Sequence, residues 1–560
     1  MRRSISFSFL TRAVGLLGLS GLLALPAQAQ TPTWAWAMHA YCTQPGKTVT
    51  IKQTVTTAAG DSYISGEATG EMMLGTTLVP LPAAIPMPPT GLPESPQRYA
   101  FFARLDPAGA VQWVKTTGGR NVTVTGMSID GAGSIYVLGR FYTVARFGTL
   151  NIQTPFAIHA QATDGYLAKL SPQGQWLWAE QTLGTSNVNN PVNFAYLTSD
   201  ASGNVFVTGT GGGSFNNNVN VSTTGVFVAR CDANGQFQWA TGSTGTSVVA
   251  AVAADAAGDV YLTGKIRNGS TSFGTTTLNP LGGSDAFVAK LSGATGQWQW
   301  AAALGGPAND EGVAVATANG QVIAGATIQG STNIGTAGSG TDAATARLDA
   351  ASGLLLLGSA TGSTAASARA VALSSDGYAL TGYTSSAAAF FQAQPLPSAG
   401  GLDGYLGGEL ATGTGGVTTW ALAIGGSDDE IITAVSAPTA GTALMAGTFT
   451  SPSLTFGSTT LTNAGGTDAF VARLGTPLGV ADEVLARTLS LAPNPARGGA
   501  RLTLSADPAT PRTADLLDAV GRVVRTYPVA GRAAWLDLNG LPAGFYLVRC
   551  GAAARRLVVE

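Results

Sequence analysis

The heptapeptide "DAFVAKL" at 285–291 returns as "DAFVARL" at 468–474, and looser copies stand at 99–105 ("YAFFARL"), 164–170 ("DGYLAKL") and 225–231 ("GVFVARC"). Each of the first four copies along the chain is followed by a short turn and a tryptophan: Trp113, Trp178, Trp239 and Trp300, at steps of 65, 61 and 61 residues. Leu357 and Trp420 continue the series at steps of 57 and 63. A period near 60 with internal variation marks a repeat architecture, and that constrains the fold more than any single motif.

Each unit reads as β throughout. In 285–291, Phe287, Ala289 and Leu291 alternate with Val288 and Lys290, the period-2 pattern of a strand. Trp298 and Trp300, two apart, are expected on one face. A second hairpin follows, as in "AAVAADAAGDVYLTGK" (250–265), where Asp255 begins a turn; Asp130, Asp200 and Asp376 stand in the same place. Two hairpins make four strands per unit. A four-stranded sheet cannot bury both faces alone, whereas radial stacking of such sheets does so. Seven "GNVYVTG"-type segments then predict an all-β, seven-bladed β-propeller over residues 30–475.

The two ends of the repeat region are half-hairpins. "TPTWAWAMHA" (31–40) is a Trp half without its partner, and the region stops at "DAFVARL", a partner without its Trp half. Pairing of Thr33–Met38 with Ala469–Leu474 would close the ring and leave no raw sheet edge.

Ahead of the repeats, a cationic start (Arg2, Arg3, Arg12), an apolar run at 13–25 and "AQA" at 27–29 read as a signal peptide over 1–29, with no membrane span predicted after it. Residues 476–487 read as a linker, and 488–560 as a small, Ig-like antiparallel β-sandwich. Only 11% of residues are charged, and the 17 basic against 26 acidic residues of 30–487 make the body acidic. That argues against a nucleic-acid partner, which needs clustered Lys and Arg. Three cysteines cannot make a disulfide framework, and Cys231 takes the place of Leu170, Leu291 and Leu474, which reads as core.

The units resemble the SBBP-type β-propeller repeats of exported bacterial proteins, whose "DaFvakLd..G...W" pattern is visible in units four and seven. This likeness, over about 34–475, implies a propeller in an extracellular setting and no common activity. Residues 488–560 resemble the type A C-terminal sorting domain of type IX secretion found across Bacteroidota. The matching residues are Pro493, Asn494 and Pro495, the "LLDAVGRVV" turn with Asp518 and Gly521, and the "LPAGFYLVR" run with Leu541, Gly544 and Tyr546. The resemblance implies the type IX translocon and its sorting peptidase as partners, and a secreted or outer-membrane surface location.

No pattern for catalysis stands out. His39 and His159 lack partners at ligand spacing, and "QPGKT" (44–48) lacks the first glycine of a phosphate loop. Asp310, Glu311, Asp428, Asp429 and Glu430 occupy matching places before a strand; gathered near the axis they would hold a cation such as calcium or supply an acid pair. Asp164, Asp285, Asp403 and Asp468 head equivalent strands and read as caps. Long loops at 79–99, 151–163 and 388–401 are predicted on one face, with Phe156, Phe390 and Phe391 as ligand anchors. The readings that follow are a binding or adhesion module, a propeller-type polysaccharide lyase or glycosidase, or a structural surface protein.

Overall fold

The computed structural model describes residues 33–83, 98–153, 163–182, 193–361, 365–374, 378–391, 394–412, 415–437, 442–475, 489–504, 512–518, 522–529, 531–550 and 553–560. The predicted signal peptide and linker lie outside these residues, as do His159 and Asp376. The described structure is all-β, with one three-residue 3-10 turn and no α-helix.

Seven antiparallel runs of four strands follow one another. Sheet 1 comprises Val49–Thr56, Ser62–Ala68, Tyr99–Leu105 and the start of Val111–Ile129. That 19-residue strand continues into sheet 2, with Ile135–Phe147, Thr163–Leu170 and Trp176–Thr182. Sheets 3 to 6 begin at Asn193–Ser199, Thr244–Ala254, Glu311–Ala318 and Ala366–Leu373 and repeat the same order. Sheet 7 takes Glu430–Ser436, Ala443–Phe449 and Asp468–Leu474 from the end of the repeat region, and Trp34–Cys42 from its beginning.

The register of that last pairing runs from Trp34 opposite Leu474 to Ala40 opposite Ala469, as the two half-hairpins predict. The structure adds a feature that the sequence pattern did not suggest. Met72–Leu74 pairs onto the other edge of Trp34–Cys42, and Thr77–Val79 pairs with Met72–Leu74, which extends sheet 7 to six strands. The first strand of the ring therefore has neighbours on both sides.

Both faces of the "DAFVAKL" strand are buried. Phe287, Ala289 and Leu291 pack with Phe206 and Val228 of sheet 3, while Ala286 and Val288 pack with Val322, Ala324 and Ala346 of sheet 5. Sheets stacked face to face have no solvent side over this strand, which is why it carries apolar residues at consecutive positions. Its lysine is held on the spot. Lys290 meets Asp259 at 2.9 Å and lies over the Tyr261 ring; Arg104 pairs with Asp61 at 3.0 Å beside Tyr63.

Four tryptophans of the repeats fasten one sheet to the next. Trp113 of sheet 1 lies against Gly174 in the sheet 2 hairpin and donates its Nε1 proton to the Pro172 carbonyl at 3.0 Å. Trp36, Trp178 and Trp300 repeat the arrangement on Gly109, Gly235 and Gly353, donating to Pro107, Ala233 and Ala350 at 3.1, 3.1 and 3.2 Å. Each of these glycines has a positive φ, and a Cβ there would press into the indole or its neighbour, so the turn needs glycine twice over. The expectation that Trp298 and Trp300 share a face is corrected. The register slips between Lys290/Trp300 and Leu291/Trp298, so the two indoles face opposite ways: Trp298 packs with the sheet 3–4 cluster and Trp300 with the sheet 4–5 cluster.

Residues 489–559 enclose a separate core that includes Leu489, Leu502, Leu516, Leu536, Val548 and Leu557. One sheet holds Leu489–Ala492, Gly499–Leu504 and Ala533–Asp537. The other holds Val523–Val529, Arg512–Leu517, Gly544–Cys550 and Ala553–Val559. All three cysteines are buried and no disulfide joins them, and Cys231 sits in core, as its leucine counterparts suggest.

Candidate functional site

The opening strand of every sheet contains a register slip at the same place. One extra residue stands between the paired positions: Lys52, Thr125, Ala195, Ala250, Val313, Arg369 and Thr433, in sheets 1 to 7. A glycine of the second strand pairs beside each slip: Gly66, Gly139, Gly209, Gly264, Gly325, Gly382 and Gly447. At Gly139 and Gly264 an added Cβ would collide with the carbonyls of Thr123 and Val248. The glycine that ends each "GNVYVTG" segment makes room for a β-bulge, a device that re-aims a side chain.

All seven extra residues line one cavity of about 620 Å³, with neighbours from every sheet. The ring is chemically uneven. Arg369, Thr433, Lys52 and Thr125, from sheets 6, 7, 1 and 2, form a polar arc, with Gln53 beside Lys52. Ala195, Ala250 and Val313, from sheets 3, 4 and 5, form an apolar arc, with Phe194 and Tyr196 beside Ala195.

Several polar groups here are already engaged. Thr433 donates to the Ile51 carbonyl at 2.7 Å, Gln53 to that of Thr125 at 3.3 Å, and Arg140 to that of Phe194 at 3.0 Å. Glu67 is the acidic residue of the lining; it accepts the Val124 N–H at 3.2 Å and lies 3.5 Å from Arg98. Arg369 spends its Nε on the Thr384 hydroxyl at 3.2 Å. Lys52 is exposed to the cavity and has no bonded partner among the described residues.

The carboxylates singled out from sequence as cation ligands do not line this cavity. Asp310 is buried and accepts the N–H groups of Gly306 and Gln329, both at 2.8 Å. Glu430, also buried, accepts the N–H of Gly426 in the equivalent loop. Glu311 pairs with Lys265 at 2.6 Å, Asp429 accepts the Leu402 N–H at 2.8 Å, and Asp428 meets the Ser427 hydroxyl. Among the described residues no three His, Cys, Asp or Glu side chains converge. Loop backbone took these oxygens first.

The strand-heading aspartates act as caps. Asp285, Asp403 and Asp468 each accept the N–H of the residue four earlier, at 2.6, 2.8 and 2.7 Å. Asp164 instead accepts from Gln181 at 2.8 Å. Asp468 also meets His39 at 2.9 Å, which ties the last strand to the first. Of the loop anchors, Phe156 lies outside the described residues. Phe390 and Phe391 belong to the short strand Ala389–Phe391, paired with Gln394–Leu396.

In the C-terminal unit the motif residues brace turns. Pro493 and Pro495 follow cis peptide bonds, and Asn494 accepts the Val558 N–H at 2.9 Å. Asp518 accepts from Arg522, and the Tyr546 hydroxyl donates to the Pro542 carbonyl at 2.9 Å. Leu541 packs on the core, Gly544 opens a strand, and Gly521 lies outside the described residues.

Burial leaves a measurable trace on pH dependence. Desolvation raises the pKa of Asp164, Glu180, Asp285, Asp310, Glu409 and Glu430 above the usual carboxylate range. Between the unfolded and folded values of such a group the native state holds more protons than the unfolded chain. Stability from these groups is therefore greatest below the ordinary carboxylate range and is lost as pH rises through the folded values. Asp349 and Asp515, held low by hydrogen bonds at the surface, act the other way. The urea midpoint is expected to rise as pH falls through the raised folded values toward the ordinary carboxylate range; a steady fall over that interval would contradict this account.

No protein-family profile and no curated protein sequence matches the chain. Similar solved structures include the quinohemoprotein alcohol dehydrogenase of Comamonas testosteroni, at 11% identity over 80% of this chain and 77% of that one, with a TM-score of 0.35. A Synechocystis apocarotenoid oxygenase mutant covers 89% of this chain and 97% of its own, at 9% identity and a TM-score of 0.33. PorZ, a surface component of the type IX secretion system of Porphyromonas gingivalis, covers 93% and 100%, at 11% identity and a TM-score of 0.17. No helix among the described residues is long and apolar enough to cross a membrane. The chain's own strand order makes it an all-β protein of the propeller type.

Proposed function

We propose that this chain is an exported, surface-displayed or released seven-bladed propeller that works as a binding module, with 488–560 as its type IX sorting domain. The observation that carries the binding reading is the axial ring. Seven equivalent bulges share one cavity, yet their side chains differ in chemistry from arc to arc. A ring that served packing alone would have no use for lysine and arginine at two of its seven positions. Catalysis by paired carboxylates is less well supported, because Glu67 is the one carboxylate of the lining and is held by Arg98 and the Val124 N–H. The seven-fold count is supported by contacts between consecutive opening strands, including sheet 7 to sheet 1 through Thr56 and Ser436 at 2.8 Å.

Two experiments test this reading. Purified full-length protein applied to a broad glycan array and to immobilised matrix proteins is expected to give a saturable ligand; no ligand in either set would sink the binding role. Deletion of 488–560 in a host with type IX secretion is expected to trap the protein in the periplasm. Normal surface delivery of the truncation would remove the sorting assignment.

A further inference from the structure

The polarity of the axial ring narrows the ligand class. Lys52 and Arg369 occupy equivalent bulges on either side of Thr433, so both basic groups belong to one arc of one ring. Neither has a carboxylate partner among the described residues, although residues 30–487 carry nine more acidic than basic side chains. Elsewhere in the repeat region Lys169, Lys265 and Lys290 each meet a carboxylate. With Arg140, the lining holds three basic residues against Glu67, which Arg98 already meets. Low-dielectric walls around such a cavity concentrate its field on whatever enters.

The opposite arc has a different chemistry. Ala195, Ala250 and Val313 present small apolar surfaces, and half-buried Tyr196 adds an aromatic edge, while Phe194 is turned into the core. A ligand that satisfies both arcs needs an anionic edge and an apolar face within one small unit. An acidic sugar has that pattern: its carboxylate or sulfate projects from one edge, and its ring C–H groups form a flat apolar face. The cavity volume of about 620 Å³ is within the range of roughly 300–1,000 Å³ usual for small-molecule sites. A flexible acidic peptide would supply the charge but no rigid face for the apolar arc.

We propose that the axial cavity binds an acidic sugar unit of an anionic glycan, with Lys52 and Arg369 taking the anionic group and the Tyr196–Val313 arc taking the ring face. This deepens the binding-module reading and rests on it.

The test is calorimetric titration of the full-length protein with trimers of galacturonate, mannuronate and a sulfated hexose, alongside neutral maltotriose and triglutamate. At least one acidic trimer is expected to bind, with affinity falling as salt rises. Lys52→Gln and Arg369→Gln should each weaken that binding by about tenfold, the scale of one charge-assisted contact. Both variants should keep the parent's urea midpoint, since neither position contributes to a core cluster. Unchanged affinity in both variants, or tighter binding of triglutamate than of any sugar, would overturn the proposal. Array binding of neutral glycans with no acidic trimer bound would overturn the acidic class and leave the binding module standing; no ligand at all would end both.

Discussion

Deletion of residues 33–42 is expected to abolish cooperative folding of the ring. Trp34–Cys42 lies inside a six-stranded sheet, between Asp468–Leu474 and Met72–Leu74, so its loss unpairs two strands at once. Buried Ala40 and Cys42 leave one core cluster, and Trp34, which meets Phe456 edge-on at 5.0 Å, leaves another. The Trp36 contact to Gly109 and Pro107 goes as well, and with it the fastening of sheet 7 to sheet 1. Trp34 and Trp36 are half-buried; with buried Ala40 and Cys42 and a strand's hydrogen bonds they make up a sizeable part of the roughly 5–15 kcal/mol that holds a typical domain folded. Circular dichroism under urea should show a broad, early transition and a large insoluble fraction. A synthetic 31–44 peptide added in trans should restore part of the signal by strand addition. A sharp transition at the parental midpoint in the deletion variant would show that the closing strand is dispensable.

The second large effect is expected at a residue with no side chain. In Gly264→Ala, the new methyl would collide with the Val248 carbonyl and the Val249 backbone, neither of which can rotate away. Relief requires the bulge at Ala250 to flatten, which shifts the register of the rest of the strand. The cost is expected to be about 3 kcal/mol or more, in the range reserved for backbone clashes and overpacking. The same change at Gly544, where a Cβ would meet nothing, should cost under about 0.5 kcal/mol. Equal urea midpoints for the two variants would refute the role assigned to the glycine.

Much of this architecture is legible in the sequence because repetition averages out local ambiguity. One copy of "DAFVAKL" is a short apolar run that fits several folds; copies at a common period, with glycine turns between them, specify antiparallel sheets. The end-to-end pairing follows from two incomplete hairpins. What escaped was any feature that depends on phase. In sheet 1 the buried positions run Val49, Ile51 and then Thr54, a step of three inside a period of two. That break is the bulge that aims Lys52 at the axis, and in one copy it looks like noise. Trp298 and Trp300 were misread for the same reason. The acidic clusters are a different case. Their charge drew notice, but loop N–H groups in need of acceptors claimed Asp310 and Glu430.

The join between the two ends sets an order in time. His39 and Asp468 are 429 residues apart in sequence and in contact in space, so the first strand made is among the last to find its partner. While the chain is being synthesised or threaded through a pore, residues 34–42 have only Met72–Leu74 to pair with. That early hairpin edge can hold the strand in register until residues 468–474 arrive. Contacts of such long range slow folding, since loop closure must precede any gain from the new pairing. A chain released too soon would carry a complete set of sheets and an open seam, and the seam would accept any exposed strand nearby.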